Sequence, residues 1–131
     1  EALEFYGKNL GLTFQIADDT LDYNSDLKVF GKKIGKDFFE GKITLPIILL
    51  YQKLKDKEKN YLKLFFQKKI RTEEELNEIL IFIKKYNIIN DCYKKAEHFI
   101  SLASNSLGIF PETKYKNILK NLTSFSLSRN F

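Results

Sequence analysis

With a single cysteine, Cys92, the chain can form no intrachain disulfide, which fits a reducing cytoplasm and leaves Cys92 a packing role on a helix face. Long apolar runs are missing too. The longest, LPIILLY at 45–51, falls far short of the ~20 residues that a membrane-spanning helix needs, so no membrane span is expected. No basic-then-apolar leader pattern opens the sequence. Arginine is scarce: of 22 basic residues only Arg71 and Arg129 are arginine, the usual bidentate reader of guanine edges. Nucleic acid is therefore not an expected partner. Histidine occurs only at His98, which is expected to be packed or solvated rather than a metal ligand.

What is present describes a folded chain. Its 131 residues are 44% apolar and 30% charged, a globular balance sufficient for one domain with a core. The opening EALEFYGKNLGL already reads as helix with no capping residue before it, so the chain is expected to start inside a longer fold. A net charge of +5 points to an anionic partner without choosing which.

Apolar residues recur at three and four, not at two, so the expected class is all-α. A first helix is expected over 1–23, with Leu10, Phe14, Ala17 and Leu21 on one stripe, broken at Asn24-Ser25-Asp26. Thr44 and Pro46 begin a second helix through TLPIILLYQKLK, apolar on most sides and so expected to be central. A shorter helix at 58–69 carries Leu62, Phe65 and Phe66. The pair Thr72 and Glu75 forms a capping box before a helix whose inward face is Leu76, Ile79, Leu80 and Ile83. Tyr93 to Leu107 marks the next helix, which Gly108 is expected to end in a left-handed turn. Pro111 opens the last, with an expected buried stripe of Tyr115, Ile118, Leu119, Leu122 and Phe125, and Arg129 near its end.

The chemistry concentrates in GLTFQIADDTLDY at 11–23, where Asp18 and Asp22 are one helical turn apart and Gln15 and Asp19 lie beside them. Like charges at that spacing destabilise a bare helix by about 0.2–0.5 kcal/mol per pair, whereas a hard divalent cation would justify them. A charged, solvated helix face explains a lone DDxxD about as well. The downstream stretch GKKIGKDFFEGKITLP at 31–46 adds weight: Lys32, Lys33, Lys36 and Lys42 surround Gly31, Gly35 and Gly41. Glycines let backbone approach a ligand, and lysine is a mobile charge suited to diphosphate oxygens, though a flexible surface loop has the same composition. Two other motifs fail on the same residues. A calcium loop from Asp22 needs glycine where Leu27 stands and glutamate where Lys33 stands. A P-loop needs four residues between its glycines where Gly35 and Gly41 enclose five, and Ser or Thr where Ile43 stands.

FQIADDTLDY resembles the second aspartate-rich motif of trans-isoprenyl diphosphate (polyprenyl) synthases, and GKKIGKDFFEGKITLP resembles the lysine-bearing stretch that follows it. YGKNLGLTFQ and YKNILKNLTSFSLSR are also similar to the family, while 51–110 matches only as helices. The resemblance implies the C-terminal helices of an isoprenoid-synthase bundle, a single domain portion over 1–131 whose N-terminal part lies elsewhere. It implies a magnesium-dependent transferase that condenses isopentenyl diphosphate with an allylic diphosphate. Asp18, Asp19 and Asp22 would hold Mg2+, with Asp18 the direct ligand. Lys32 and Lys42 would act in catalysis and bind substrate, and Gln15 and Phe14 would lie near the allylic diphosphate and its hydrocarbon. The sequence holds no second DDxxD, so the family's first aspartate-rich motif, with the residues that set product length and bind isopentenyl diphosphate, is expected on another segment. The implied partners are a second copy of the complete enzyme or the missing N-terminal half. The competing reading is a noncatalytic remnant or interaction subunit that docks with a partner synthase. Taken alone, the segment is expected to fold poorly or self-associate, because its apolar faces call for partner helices.

Overall fold

The structure is a computed structural model that describes residues 1–130, with side chains for all but Val29 and 125–130. Eight α-helices and one short 3-10 turn follow in order among the described residues, with no strand, as the three-and-four spacing requires. The helices are α1 (Ala2–Leu21), α2 (Asp26–Val29), α3 (Lys36–Phe39), α4 (Leu45–Lys53), α5 (Asp56–Gln67), α6 (Glu73–Lys85), α7 (Ile88–Ser106) and α8 (Lys114–Asn130). The chain divides into two compact units, one of Glu1–Asp18 with the residues from Tyr93 onward, the other Asp19–Cys92.

In the first unit, Tyr6 and Leu10 of α1 pack against Ala103 and Leu107, and Phe14, Ile100, Phe110 and Leu119 close the edges. Ala103 is completely buried, and its small side chain lets the backbones approach. The Tyr6 hydroxyl donates to the Leu119 carbonyl at 2.7 Å, giving the polar end of a buried ring a partner. Asn9 and Thr13 are also buried, and each satisfies itself by donating to its own helix, Asn9 to Phe5 O at 2.9 Å and Thr13 to Asn9 O at 3.0 Å. α8 departs from the sequence expectation. Tyr115 is 78% exposed and Ile118 and Leu122 are exposed, while Lys116 and Thr123 turn inward. Lys116 makes this possible by donating to Phe110 O at 2.9 Å and pairing with Glu112 at 2.8 Å, so its charge is compensated where its stem is buried. Phe125 and Arg129 lie outside the described side chains. Gly108 is not left-handed; α7 runs instead into a 3-10 turn at Leu107–Ile109.

In the second unit Phe38 is fully buried, with ring centroids 5.8 Å from Phe39, 6.4 Å from Phe65 and 5.6 Å from Phe66, all edge-on. Ile47 and Leu50 of α4 and Leu76, Ile79 and Ile83 of α6 are buried, and α4 packs on α6. The capping box forms as the spacing predicts: Glu75 N donates to Thr72 Oγ1 at 3.2 Å, and Thr72 N to Glu75 Oε1 at 2.9 Å. Among the described residues other than glycine, the left-handed position is taken by Asn87, φ 56°, which turns the chain from α6 into α7. α4 is less central than its composition suggests, since Ile48 is 43% exposed and Ile43, just before it, 62%.

Candidate functional site

The glycine-lysine stretch is built around α3, a single turn too short to satisfy its own ends. Its N-terminal amides are met by Asp22 from fourteen residues upstream. Asp22 Oδ1 accepts from Gly35 N at 3.1 Å and Lys36 N at 3.0 Å, and Oδ2 accepts from Asp37 N at 2.7 Å. The Asp22 carbonyl takes a further bond from Gly35 N at 2.8 Å. This is N-capping by a carboxylate at long range, and it commits most of the lone pairs of Asp22 to backbone.

The C-terminal end of α3 is met by Arg71. Its Nε donates to Phe38 O at 2.7 Å and its Nη2 to Phe39 O at 3.4 Å, while Nη1 donates to Phe65 O at 3.1 Å and Lys68 O at 2.5 Å. The guanidinium thus joins the last carbonyls of α3 to those of α5, and it is buried. The loop glycines answer to the same packing. Gly35 has φ 89° and a Cβ there would lie 2.4 Å from Leu76 Cδ2; Gly41 has φ 73° and a Cβ there would lie 2.7 Å from Arg71 Nη2. The close approach expected from these glycines is filled by the protein itself.

The structure places the residues singled out in the sequence as follows. Asp18 is exposed and Asp19 half-buried, both near the end of α1; Gln15 is exposed and Phe14 half-buried. Lys32, Lys33, Lys36 and Lys42 lie at the surface, and Lys42 Nζ is 3.7 Å from Glu40 Oε2. Among the described residues no three His, Cys, Asp or Glu side chains converge on a metal position. The donor set suits a cation that keeps waters and takes phosphate oxygens as ligands, because magnesium commonly needs only one or two protein carboxylates. Asp18 fits that requirement. Asp22 fits it less well, since three amides already hold its two oxygens.

Three residues escaped the sequence reading. Arg71 stood out only as an arginine among lysines. Asp37 sits in the lysine stretch, and its backbone carbonyl accepts from Lys42 N at 2.9 Å. Tyr23 is buried with no hydrogen-bond partner for its hydroxyl among the described residues, and burial, then the negative charges of Asp22, Asp37 and Asp19, push its pKa far above the usual phenol range, so it stays protonated. No local pattern marks Tyr23. Cys92 is buried as expected, and burial pushes its thiol up to about 11. His98 is exposed, edge-on to Phe99 at 5.4 Å.

The family model for polyprenyl synthetase matches residues 1–83. The chain is 34% identical to the all-trans-nonaprenyl-diphosphate synthase (geranyl-diphosphate specific) of Rhodobacter capsulatus, over 98% of its own length and 39% of that protein's. It is 29% identical to the octaprenyl diphosphate synthase of Haemophilus influenzae over 100% of its length and 40% of that protein's. Among solved structures it superposes on the polyprenyl synthase from Caulobacter crescentus, complexed with calcium and isoprenyl diphosphate, with a TM-score of 0.85. That match has 33% identity and covers 100% of this chain and 40% of that one. The chain thus spans about 40% of the length of these relatives. No helix among the described residues is long and apolar enough to cross a membrane.

Proposed function

Since the chain belongs to the polyprenyl synthetase family, we propose that it supplies the C-terminal, diphosphate-holding part of a trans-polyprenyl diphosphate synthase in the cytoplasm. The reaction condenses isopentenyl diphosphate with an allylic diphosphate. The allylic C–O bond breaks with its electron pair leaving on diphosphate, the isopentenyl double bond attacks the allylic cation, and a proton is lost from the new chain. No protein nucleophile is needed; the protein's task is to stabilise the departing diphosphate and orient two substrates. Asp18 and Asp19 would hold Mg2+, which supplies charge stabilisation of the leaving diphosphate when bound. Asp22, the third aspartate of the motif, fixes the backbone of the loop that bears Lys32 and Lys42, and those two ammonium groups would meet diphosphate oxygens. Gln15 and Phe14 would face the allylic diphosphate and its hydrocarbon.

The observation that carries this reading is the division of labour in the aspartate motif. Asp22 caps the lysine-bearing turn through three amides, while Asp18 stays exposed and available to a cation. A solvated charged face gives no reason for one of its carboxylates to organise a loop fourteen residues away. The complete enzyme would be a homodimer, or the chain would join an N-terminal half. The exposed apolar side chains Ile43 and Ile48 also suit a second reading, in which the chain docks with a partner synthase without catalysing.

Calorimetric titration of the chain with pyrophosphate, with and without Mg2+, tests the proposal. Mg2+-dependent binding that Asp18→Ala weakens at least about tenfold, and Asp26→Ala leaves alone, is the expected result, a difference of about 1.4 kcal/mol. Equal effects at the two positions would reduce the motif to a charged surface.

A further inference from the structure

The structure assigns Arg71 the role of positioning residue for Lys42, an inference that deepens the diphosphate reading and rests on it. Arg71 stands 29 residues beyond Lys42 and outside the two motifs, yet it reaches back into the turn that presents that lysine. Its Nε and Nη2 hold Phe38 O and Phe39 O, so the last carbonyls of α3 are fixed from outside the loop. The turn that follows is short and internally bonded. Gly41 N donates to Phe38 O at 3.0 Å and Lys42 N to Asp37 O at 2.9 Å. Phe38 O therefore accepts from both Arg71 and Gly41, coupling the guanidinium to the residue next to Lys42.

The other face of Arg71 is anchored. Nη1 bonds Phe65 O and Lys68 O where α5 ends, and the guanidinium carbon lies 5.9 Å from the Phe66 ring centroid. A carbonyl-rich helix end favours a cation, and a guanidinium spreads five N–H donors over a planar fork wide enough to meet four carbonyls, where an ammonium has three donors on one atom. Gly41 completes the fit, because its left-handed φ and the Arg71 Nη2 at 2.7 Å from a notional Cβ both exclude a side chain. The Lys42 side chain lies in solvent, with a 3.7 Å contact to Glu40, so the direction in which it leaves the loop is set by its backbone and hence by Arg71. Asp22 fixes one end of α3 and Arg71 the other.

Arg71→Lys keeps the charge and removes the fork. In the whole chain, amide hydrogen exchange at Gly41 and Lys42 should accelerate at least about tenfold in Arg71→Lys while the α6 core amides stay protected. Unchanged exchange at these two amides would overturn the inference without touching the diphosphate reading. The second arm is a double-mutant cycle on Mg2+·pyrophosphate affinity. Lys42→Ala and Arg71→Lys should each weaken binding, and together they should weaken it no more than Lys42→Ala alone, because Arg71 acts through that lysine. Additive losses would make Arg71 a general stability element and sink the proposal. A Lys42→Ala chain that binds as the wild type does would overturn the diphosphate role of this lysine and the inference with it. Gly41→Ala, which crowds the same turn from the other side, should reproduce the exchange and the coupling; a Gly41→Ala chain indistinguishable from wild type in both would also count against it.

Discussion

Asp22→Asn separates the two roles that an aspartate in this motif can have, because they predict changes of opposite sign. In the wild type Oδ1 takes the amides of Gly35 and Lys36 and Oδ2 takes that of Asp37. Asparagine keeps one acceptor oxygen. Placed to serve Gly35 and Lys36, its NH2 group faces the Asp37 N–H, which sits only 2.7 Å from the present oxygen and would oppose donor to donor. A lost hydrogen bond to a charged group costs about 1.5–3 kcal/mol; Asp22 is half-buried and water reaches Lys36, so about 1–2 kcal/mol is the expected destabilisation. The substitution is isosteric, and no cavity contributes. Were Asp22 instead a carboxylate kept only for a metal, neutralising it in the metal-free chain would relieve repulsion with Asp18 and stabilise α1 by about 0.2–0.5 kcal/mol. Urea denaturation of the metal-free chain decides the sign, read as a shift of midpoint at constant slope. An Asp22→Asn chain as stable as the wild type, or more so, would refute the capping argument.

Further consequences concern the same unit. Gly35→Ala should be more destabilising than Gly31→Ala: both carry the left-handed strain of about 1–2 kcal/mol, but only Gly35 meets Leu76, while Gly31 opens on free space. Parallel denaturation curves check the order, and equal losses would contradict it. Lys32→Ala and Lys42→Ala should lower prenyl transfer strongly and Lys33→Ala and Lys36→Ala mildly, each 1.36 kcal/mol lost from the transition state being about tenfold in rate; four comparable losses at saturating Mg2+ would mean diffuse attraction. Cys92 gives an alkaline signature. Its thiol is raised in the folded chain from an ordinary 9.0 to about 11, so the folded state holds the proton longer than the unfolded state. Stability is therefore indifferent to this group below about pH 9 and falls as the pH rises through the window up to about 11, a loss that Cys92→Ala should remove in pH-dependent melting.

In α6, local periodicity and end chemistry are enough, and the fold follows them. The inward face of α6 and the Thr72–Glu75 box need only neighbours within one turn, and both form. Long-range packing was not legible. On α8, Leu119 packs inward as its spacing suggests, but Tyr115, Ile118 and Leu122 do not, because apolar spacing alone cannot anticipate a buried Lys116 compensated by Glu112 and the Phe110 carbonyl. Gly108 was the obvious left-handed stop, yet a 3-10 turn ends that helix and Asn87 takes the left-handed position elsewhere. In the site, the aspartate and lysine types could be read, but their division of labour could not. Nothing in DDxxD distinguishes a carboxylate that faces a cation from one that caps α3, and nothing near Gly41 in sequence reveals that an arginine 30 residues later fills the space beside it.

The assignment of this chain to the diphosphate half of a prenyl-transfer site is open to direct assay. Its most direct test is transfer from an allylic diphosphate to isopentenyl diphosphate by the chain co-expressed with the N-terminal helices of a polyprenyl synthase, purified as a folded complex. Mg2+-dependent chain elongation that Asp18→Ala lowers by orders of magnitude and Asp26→Ala does not is the expected result. A folded complex that binds both parts and makes no product at any Mg2+ concentration would contradict it and leave the docking reading in its place.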